Sequence, residues 1–499
     1  MAEERQLRLY TIPPHRAFAD ALAIGLLRRF GSDPMRLARG TVLLPNNRAK
    51  RAITDAFVRE SQGGLLLPRL VAVGDPELDE AVFDWVDDAD PVPPAVDPLQ
   101  RRLILARLVA EAGGPADAGE AVRIAGDLAR TLDQMLVEEV PPAALRDLQL
   151  SDELSAHWQR SLATFAVVLD RWPGELARLN RIDLAERRTR LLDKVAARWE
   201  AEPPTGFVCA AGITTSAPAV ARLLRTVAEL PQGMVVLPGL ATGISDAEWD
   251  SLGPHPADPA TGRRRRSIET HPQFHLKLLL ERMRVDRSEF DPWRVTSEHD
   301  APPARSRAIA TAMVPPELTH SWTELPASER SLAGVRAIEV ATPAEEAQAI
   351  ALALRQVLET PGRTAALVTP DRALARRVAA HCARWNIAVD DSAGQPLSLL
   401  PPGTLLLALA DAAAQHFAPL PLLTLLKHPL VMGETRLAWL EGARALDRAL
   451  RGPRPAAGLA GIDRHLADQQ GRDGPVRRDA ARWWPEARAL LAPIEAVFA

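Results

Sequence analysis

Polar and apolar residues alternate over residues 8–12, Arg-Leu-Tyr-Thr-Ile, and two prolines follow at 13 and 14. From Phe18 onward the apolar positions Ala21, Leu22, Gly25 and Leu26 recur at helical spacing. The pattern predicts a strand, a tight turn and a helix. The same unit returns along the chain. TVLLPNNRAKRAITDAFVRE (41–60) reads as a buried strand, an Asn-rich turn and an amphipathic helix, and LLLPRLVAV (65–73) as a further apolar run. Residues 206–240 read as strand, polar turn, helix and strand, with Ser216 expected at the N-cap and Pro218 in the first turn. In VRAIEVATPAEEAQAIALALRQVL (335–358), Thr342, Pro343 and Glu345 have the spacing of an N-cap, an N1 proline and the third residue of a capping box. Residues 363–389 repeat the scheme, with Thr369 and Pro370 expected to open the helix. Strands alternating with helices predict an α/β fold of parallel sheets joined by right-handed crossovers.

Between the third and fourth expected strands the period changes. Residues 97–112, 118–140 and 187–204 all carry apolar positions three to four apart. A helical insertion at about 90–200 is expected in the first α/β lobe, which then spans residues 1–330. Residues 296–330 lack strong periodicity and are expected to join it to a second lobe, 331–499. No repeat of fixed period is present. The last residues, ALLAPIEAVFA, leave a helical period unfinished, so a fragment of a longer protein is expected.

Composition narrows the class. The chain has 499 residues, 47% hydrophobic and 25% charged, as in an ordinary soluble protein. No apolar run approaches the ~18 residues of a membrane span, and the N-terminus lacks the apolar core of a secretory signal. Cys209 and Cys382 are too few for a disulfide framework or a four-thiolate metal site, so a reducing cytoplasm is expected. Of 60 basic residues only Lys50, Lys194, Lys277 and Lys427 are lysine, and the other 56 are arginine. A GC-rich genome produces that bias; arginine also suits phosphate and base contacts. With a net charge of −4, nucleic-acid binding would need a local basic face.

Four lysines permit a complete audit of two chemistries. A phosphate-binding loop needs glycine before its lysine, but Ala49, Asp193, Leu276 and Leu426 stand there. A nuclease of the (D/E)-x-K kind needs an acid two positions earlier, but Arg48, Leu192, His275 and Leu425 stand there. His271 and His275 have the spacing of two metal ligands on one helix face, yet Pro272 lies between them and no third ligand is evident. No catalytic residue, nucleotide site or metal site is expected. Binding remains. The run Arg263, Arg264, Arg265 and Arg266 reads either as a solvated loop or as a phosphate clamp. Three strand-end turns are candidates by geometry: Asn46, Asn47 and Arg48; Thr214, Thr215 and Ser216; Thr369, Asp371 and Arg372. Open α/β sheets bind ligands at that edge, and helix N-termini there present N–H groups to phosphate. Simple helix capping is the alternative for each. Among eleven tryptophans, which could stack on bases, Trp158, Trp172 and Trp385 sit at apolar helix positions and are expected in the core.

Residues 367–415, which include VDDSAGQPL, and LLKHPL (425–430) closely resemble the AddB subunit of AddAB-type helicase–nucleases, in its alphaproteobacterial form. YTIPP (10–14), LLPNNRAKRA (43–52), HWQRSL (157–162), RIDLAERRTRLL (181–192), VVLPGL (235–240) and HPQF (271–274) are similar to the same family in the same order. AGITTS and HPQFHL depart from it where the family is richer in glycine. The resemblance implies superfamily 1 helicase-like lobes whose phosphate loop has been lost. It implies a heterodimer with an AddA-type helicase–nuclease motor subunit, processing double-strand DNA ends for recombinational repair and handling single-stranded DNA. An iron–sulfur cluster and a magnesium-dependent nuclease domain are implied for a later part of the family's chain. A pure protein-interaction scaffold for the motor subunit is the alternative role.

Overall fold

The computed structural model describes residues 7–61, 63–73, 91–113, 117–141, 144, 156–296, 300–432 and 435–498. Two compact units divide between Arg336 and Ala337.

The first unit is built on a parallel sheet. Strand β1 (Leu9–Ile12) leads into helix α1 (Phe18–Phe30) and the short α2 (Pro34–Ala38); β2 (Thr41–Leu44) leads into α3 (Asn47–Glu60), and β3 (Arg69–Ala72) follows. Among the described residues, four helices intervene before the fourth strand: α4 (Pro98–Glu111), α5 (Ala118–Val137), α6 (Ala156–Leu179) and α7 (Leu184–Ala201). Then come β4 (Val208–Ala211), α8 (Pro218–Glu229), β5 (Gly233–Pro238), α9 (Asp246–Ser251), α10 (Phe274–Met283) and β6 (Phe290–Pro292). The six strands lie in the order β3-β2-β4-β5-β1-β6, all parallel.

Alternation along each strand splits the core in two. Ile12, Val42, Leu44, Cys209 and Val236 point to the face covered by α1 and α3, where they meet Leu22, Leu26, Ile53 and Phe57. Leu9, Leu43, Val208, Ala210 and Val235 point to the other face, against Leu192 and Val195 of α7, Val220 and Leu224 of α8 and Leu280 of α10. Both faces are covered, which is why these strands read as nearly continuous apolar runs. Burial pushes the Cys209 thiol up to about 12, so it packs as a small apolar group. At the β6 edge, buried Trp293 donates to Ala21 O at 2.8 Å and lies edge-on to Tyr10. Its ring occupies the space a Cβ on Gly25 would need, with the nearest atom 2.2 Å away.

The helices α4, α5 and α6 share a separate core through Leu105, Leu108, Leu128, Leu132, Trp172 and Leu176. A buried polar network joins this group to the start of α7. Arg101 Nε lies 2.8 Å from Asp183 and Nη1 2.8 Å from Asp133, while Trp172 Nε1 donates to Asp183 at 3.0 Å. Residues 296–330 carry α11 (Pro303–Ala312) and α12 (Ser321–Glu324).

The second unit differs from the sequence expectation. It is helical: α13 (Pro343–Leu358), α14 (Arg372–Ala383), α15 (Pro401–Ala414), α16 (Pro419–Leu426), α17 (Arg436–Ala449), α18 (Leu459–Ala467) and α19 (Gly474–Phe498). The expected Thr342–Pro343–Glu345 capping box forms, and α13 packs on α14 through Ala347, Ala351, Leu374 and Val378. Helices α15 to α19 close a second core around Leu422, Trp439, Leu446, Ile462 and Trp484. The segments expected as strands, within 335–340 and 363–369, belong to no helix or strand, and among the described residues this unit holds no strand. A strand is defined by its neighbour's hydrogen bonds, and apolar alternation cannot supply the neighbour.

Among the described residues, no helix is long and apolar enough to cross a membrane.

Candidate nucleic-acid interface

In open α/β sheets ligands settle beyond the C-terminal strand ends, where adjacent strands lead to helices on opposite faces. This sheet has two such points. Strand β1 leads to α1 on one face while its neighbour β5 leads toward α10 on the other; β2 leads to α3 while its neighbour β4 leads to α8.

The β1/β5 crevice is closed by the protein itself. Thr11 Oγ1 donates to Leu237 O at 3.2 Å and accepts from Leu240 N–H at 3.2 Å. Gln273, just before α10, donates from Nε2 to Gly239 O at 3.0 Å and accepts at Oε1 from Ala241 N–H at 2.9 Å. Gly239 has φ +61°, and Pro14 lies 3.7 Å from the position of a Cβ there, so the two loops touch. Beyond Pro13 and Pro14, which have no N–H to offer, Arg16 Nη1 donates to Trp293 O at 2.7 Å and Val295 O at 2.6 Å, and Nε lies 3.9 Å from Asp300. Burial, and then the Arg16 charge, hold the neighbouring His15 below the ordinary imidazole range. Where a nucleotide-binding protein turns glycine N–H groups and a lysine toward phosphate, this loop turns an arginine inward onto carbonyls.

The β2/β4 strand ends carry the exposed candidates. Register pairs Leu43 with Ala210, and Pro45 lies 3.8 Å from the position of a Cβ on Gly212, so the turns after the two strands start side by side. Asn46 caps α3, its Oδ1 accepting from Ala49 N–H at 2.9 Å, and the first turn of α3 holds no acid. Asn46, Asn47, Arg48, Lys50 and Arg51 are all exposed, as are Thr214 and Thr215 across the crevice. Ser216 departs from expectation. It is buried, its carbonyl accepts from Arg282 Nη1, and Ala217 occupies the cap of α8 without a side-chain bond. Pro218 at N1 shifts the helix start by one residue, because its ring fixes the backbone there.

The remaining candidates belong to other segments of the chain. Arg263, Arg264, Arg265 and Arg266 form an exposed loop beyond α9, in which Asp258 N–H donates to Arg263 O and Arg264 bridges Ala257. Arg265 pairs with Glu317 at 2.8 Å, and an open groove of about 820 Å³ beside it is lined by Arg265, Arg266, Glu269 and Glu317. In the second unit, Asp371 rather than Thr369 caps α14, accepting from Ala373 N–H at 2.7 Å, and Thr369 Oγ1 accepts from Asp371 N–H at 3.0 Å. Bonds from the backbone N–H groups of Ala373 and Leu374 hold the Asp371 carboxyl below its ordinary range. Arg372 is bidentate to Asp391 at 3.0 and 2.6 Å. Within the first unit, the structure brings the turns at 46–48 and 214–216 together.

Motifs that marked the sequence as distinctive perform structural work. HPQF supplies Gln273, and His271 Nδ1 accepts from Gln273 N–H at 3.2 Å, which removes that nitrogen as a metal ligand. In LLKHPL, His428 Nε2 lies 2.8 Å from Thr404 Oγ1, its Nδ1 accepts from Leu430 N–H, and Arg436 donates to the carbonyls of Lys427 and His428. VDDSAGQPL supplies Asp391. Trp172 is buried as expected and Trp385 packs partly buried beside α14, while the side chain of Trp158 lies outside the described residues. Trp322 is half exposed. Among the described residues, no group of three or more His, Cys, Asp or Glu could hold a metal ion.

Sequence reasoning passed over Gln273, Arg16 and the Lys50–Arg51 pair. The basic spacing on α3 was visible in PNNRAKR, whereas the closure by Gln273 joins residues 32 to 34 apart and has no local signature. The chain matches no protein-family model and no curated protein.

Proposed function

We propose that this chain is the helicase-like, non-catalytic region of an AddB-type subunit, which guides one strand of an opened duplex during double-strand DNA end processing. The supporting observation is the contrast between the two crevices of one sheet. The point beside β1 is filled by Gln273, Pro14 and Arg16, and the strand ends of β2 and β4 carry exposed Asn46, Asn47, Arg48, Lys50, Arg51, Thr214 and Thr215. A sheet so arranged has no room for nucleotide phosphates beside β1 and retains a place for a nucleic-acid backbone: capped helix N-terminus, Arg48, Lys50, Arg51 and two threonine hydroxyls. In this reading the ATP-driven motor is the AddA-type partner, the complex acts in the cytoplasm, and the nuclease with its iron–sulfur cluster and magnesium lies outside these residues.

A scaffold for the motor subunit with little DNA contact is the second reading. It is favoured by the overall charge of −4 and by Arg265 and Arg372, both already paired with carboxylates. Fluorescence anisotropy of a labelled forked DNA across a salt titration, with and without the motor subunit, separates the two. Strand guiding predicts affinity for the chain alone that falls steeply with salt, by about one decade per decade of salt for each phosphate contact, and that Arg48→Ala with Arg51→Ala weakens. Stable co-elution with the motor subunit and no DNA affinity would instead establish the scaffold.

A further inference from the structure

The edge of the sheet opposite the candidate interface carries a second basic cluster. Between Ala21 and Gly40 the chain holds four arginines, Arg28, Arg29, Arg36 and Arg39, against one acid, Asp33. The Asp33 carboxylate is already engaged as the cap of α2, accepting from Met35 N–H at 2.9 Å. All four arginines are exposed, and among the described residues none is in an ion pair with a carboxylate. Other exposed arginines of this unit pair along their own helices, as Arg123 does with Glu120 and Arg178 with Glu175.

Contacts gather the cluster at the N-terminal strand ends. Helix α1 finishes where β4 and β5 begin: Arg29 Nη1 lies 3.5 Å from Met234 Sδ, and the Phe30 ring stacks at 4.0 Å on Phe207, which precedes β4. The Phe207 ring fills the space of a Cβ on Gly40, and the Arg39 carbonyl lies 2.0 Å from the position of a Cβ on Gly206. Two guanidinium groups rest on aromatic rings. Arg29 lies 4.1 Å from the Trp293 centroid and 4.6 Å from that of Tyr10, and Arg36 lies 5.3 Å from that of Phe30. Stacking orders a guanidinium without spending its N–H fork on a carboxylate, so less freedom is lost when the fork meets an anion.

The same rings select among nucleic acids. Phe30, Phe207 and Trp293 are buried, two of them beneath guanidinium groups, so they offer no platform on which an unpaired base could stack. What remains is a set of planar cations that match phosphate oxygens. A duplex turns its phosphates outward at about one charge per 1.7 Å of axis. We propose that this cluster is a docking surface for double-stranded DNA, gripped by its phosphates through Arg28, Arg36 and Arg39. The choice of DNA as the polyanion rests on the reading above, in which the chain handles an opened duplex; the cluster adds a second contact, for the arm that is still paired.

Fluorescence anisotropy of the 499-residue chain with a short labelled blunt duplex, and separately with an oligothymidylate of the same length, tests this across a salt titration. Replacing Arg28, Arg36 and Arg39 together by Ala should weaken duplex binding about tenfold or more, and should lower the slope of log affinity on log salt by about 0.9 for each arginine in contact. Oligothymidylate affinity should be unchanged. Arg39→Glu alone, at an exposed side chain, should weaken the duplex in the same direction while keeping the wild-type circular dichroism spectrum. Duplex affinity unchanged in Arg39→Glu, an equal loss for oligothymidylate, or displacement of the duplex by polyglutamate at equal charge would overturn the proposal, the last by assigning the cluster to an acidic polypeptide. Arg48→Ala with Arg51→Ala tests strand guiding separately: it should weaken oligothymidylate and leave the blunt duplex bound, so each reading fails on its own variant.

Discussion

Gln273 holds the loop after β5 in place, and its replacement measures how far one side chain keeps the β1/β5 crevice shut. It makes two part-buried bonds, to Gly239 O at 3.0 Å and from Ala241 N–H at 2.9 Å. Each neutral bond of this kind contributes about 1 kcal/mol net, so Gln273→Ala should cost ~2 kcal/mol. In a unit of this size that lowers the melting midpoint by about 3 °C. Gln273→Glu separates hydrogen bonding from packing. It keeps the shape and the acceptor for Ala241, but as a carboxylate it sets a second oxygen against the Gly239 carbonyl. Only the protonated acid can donate there, so the folded-state pKa of this Glu should lie above the unfolded value of about 4.3. Such a group is stabilising below the unfolded pKa and loses that contribution as pH rises through the folded one. Gln273→Glu should therefore approach wild-type stability near pH 4 and fall toward the alanine variant near pH 7. Urea unfolding followed by tryptophan fluorescence reads both effects. A loss under about 0.3 kcal/mol for the alanine variant, or a pH-independent loss for the glutamate, would refute this account of the closure.

Three further expectations concern other parts of the chain. Arg101→Ala leaves buried Asp183, and Asp133 beside it, without their cation, and urea unfolding should show a loss of about 3 kcal/mol or more, centred on the α4–α7 group. Gly25→Ala drives a methyl group into the Trp293 ring, where the nearest atom would be 2.2 Å away; a cost of about 1–3 kcal/mol and a shifted tryptophan emission are expected by urea titration. Hydrogen bonds from Arg222 hold the Glu139 carboxyl below its ordinary range, so this pair stabilises above that range and weakens as pH falls through the lowered value. The stability gap between wild type and Arg222→Met should accordingly narrow on acidification, as measured by urea midpoints at successive pH values.

Much of the first unit was legible because short-range physics writes it. Buried strands alternate with helices whose apolar faces repeat every three to four residues; in the second unit the Thr342–Pro343–Glu345 box marks its helix to the residue. Shifts of one or two positions arose at two helix starts: Ser216 gave way to Ala217, which makes no side-chain cap bond, and Thr369 to Asp371. The three-residue β6 was missed because FDP carries little periodic signal; its place is fixed by pairing with β1. Residues 335–340 and 363–369 have the composition of strands but lack partners, so local pattern outran tertiary context there. At the candidate interface, Asn46, Arg48 and Thr214 could be read from strand-end position. The closure by Gln273 and Arg16 could not, since it depends on contacts between residues far apart in sequence.

Cross-linking maps the central claim directly. A forked DNA carrying 4-thiothymidine in one single-stranded arm would be bound to the chain, irradiated, and the attached peptides identified by mass spectrometry. The account predicts adducts within the first turn of α3 and at residues 214–215, unchanged by a large excess of ATP. Adducts confined to other surfaces, such as the 263–266 loop, or their displacement by ATP, would contradict it.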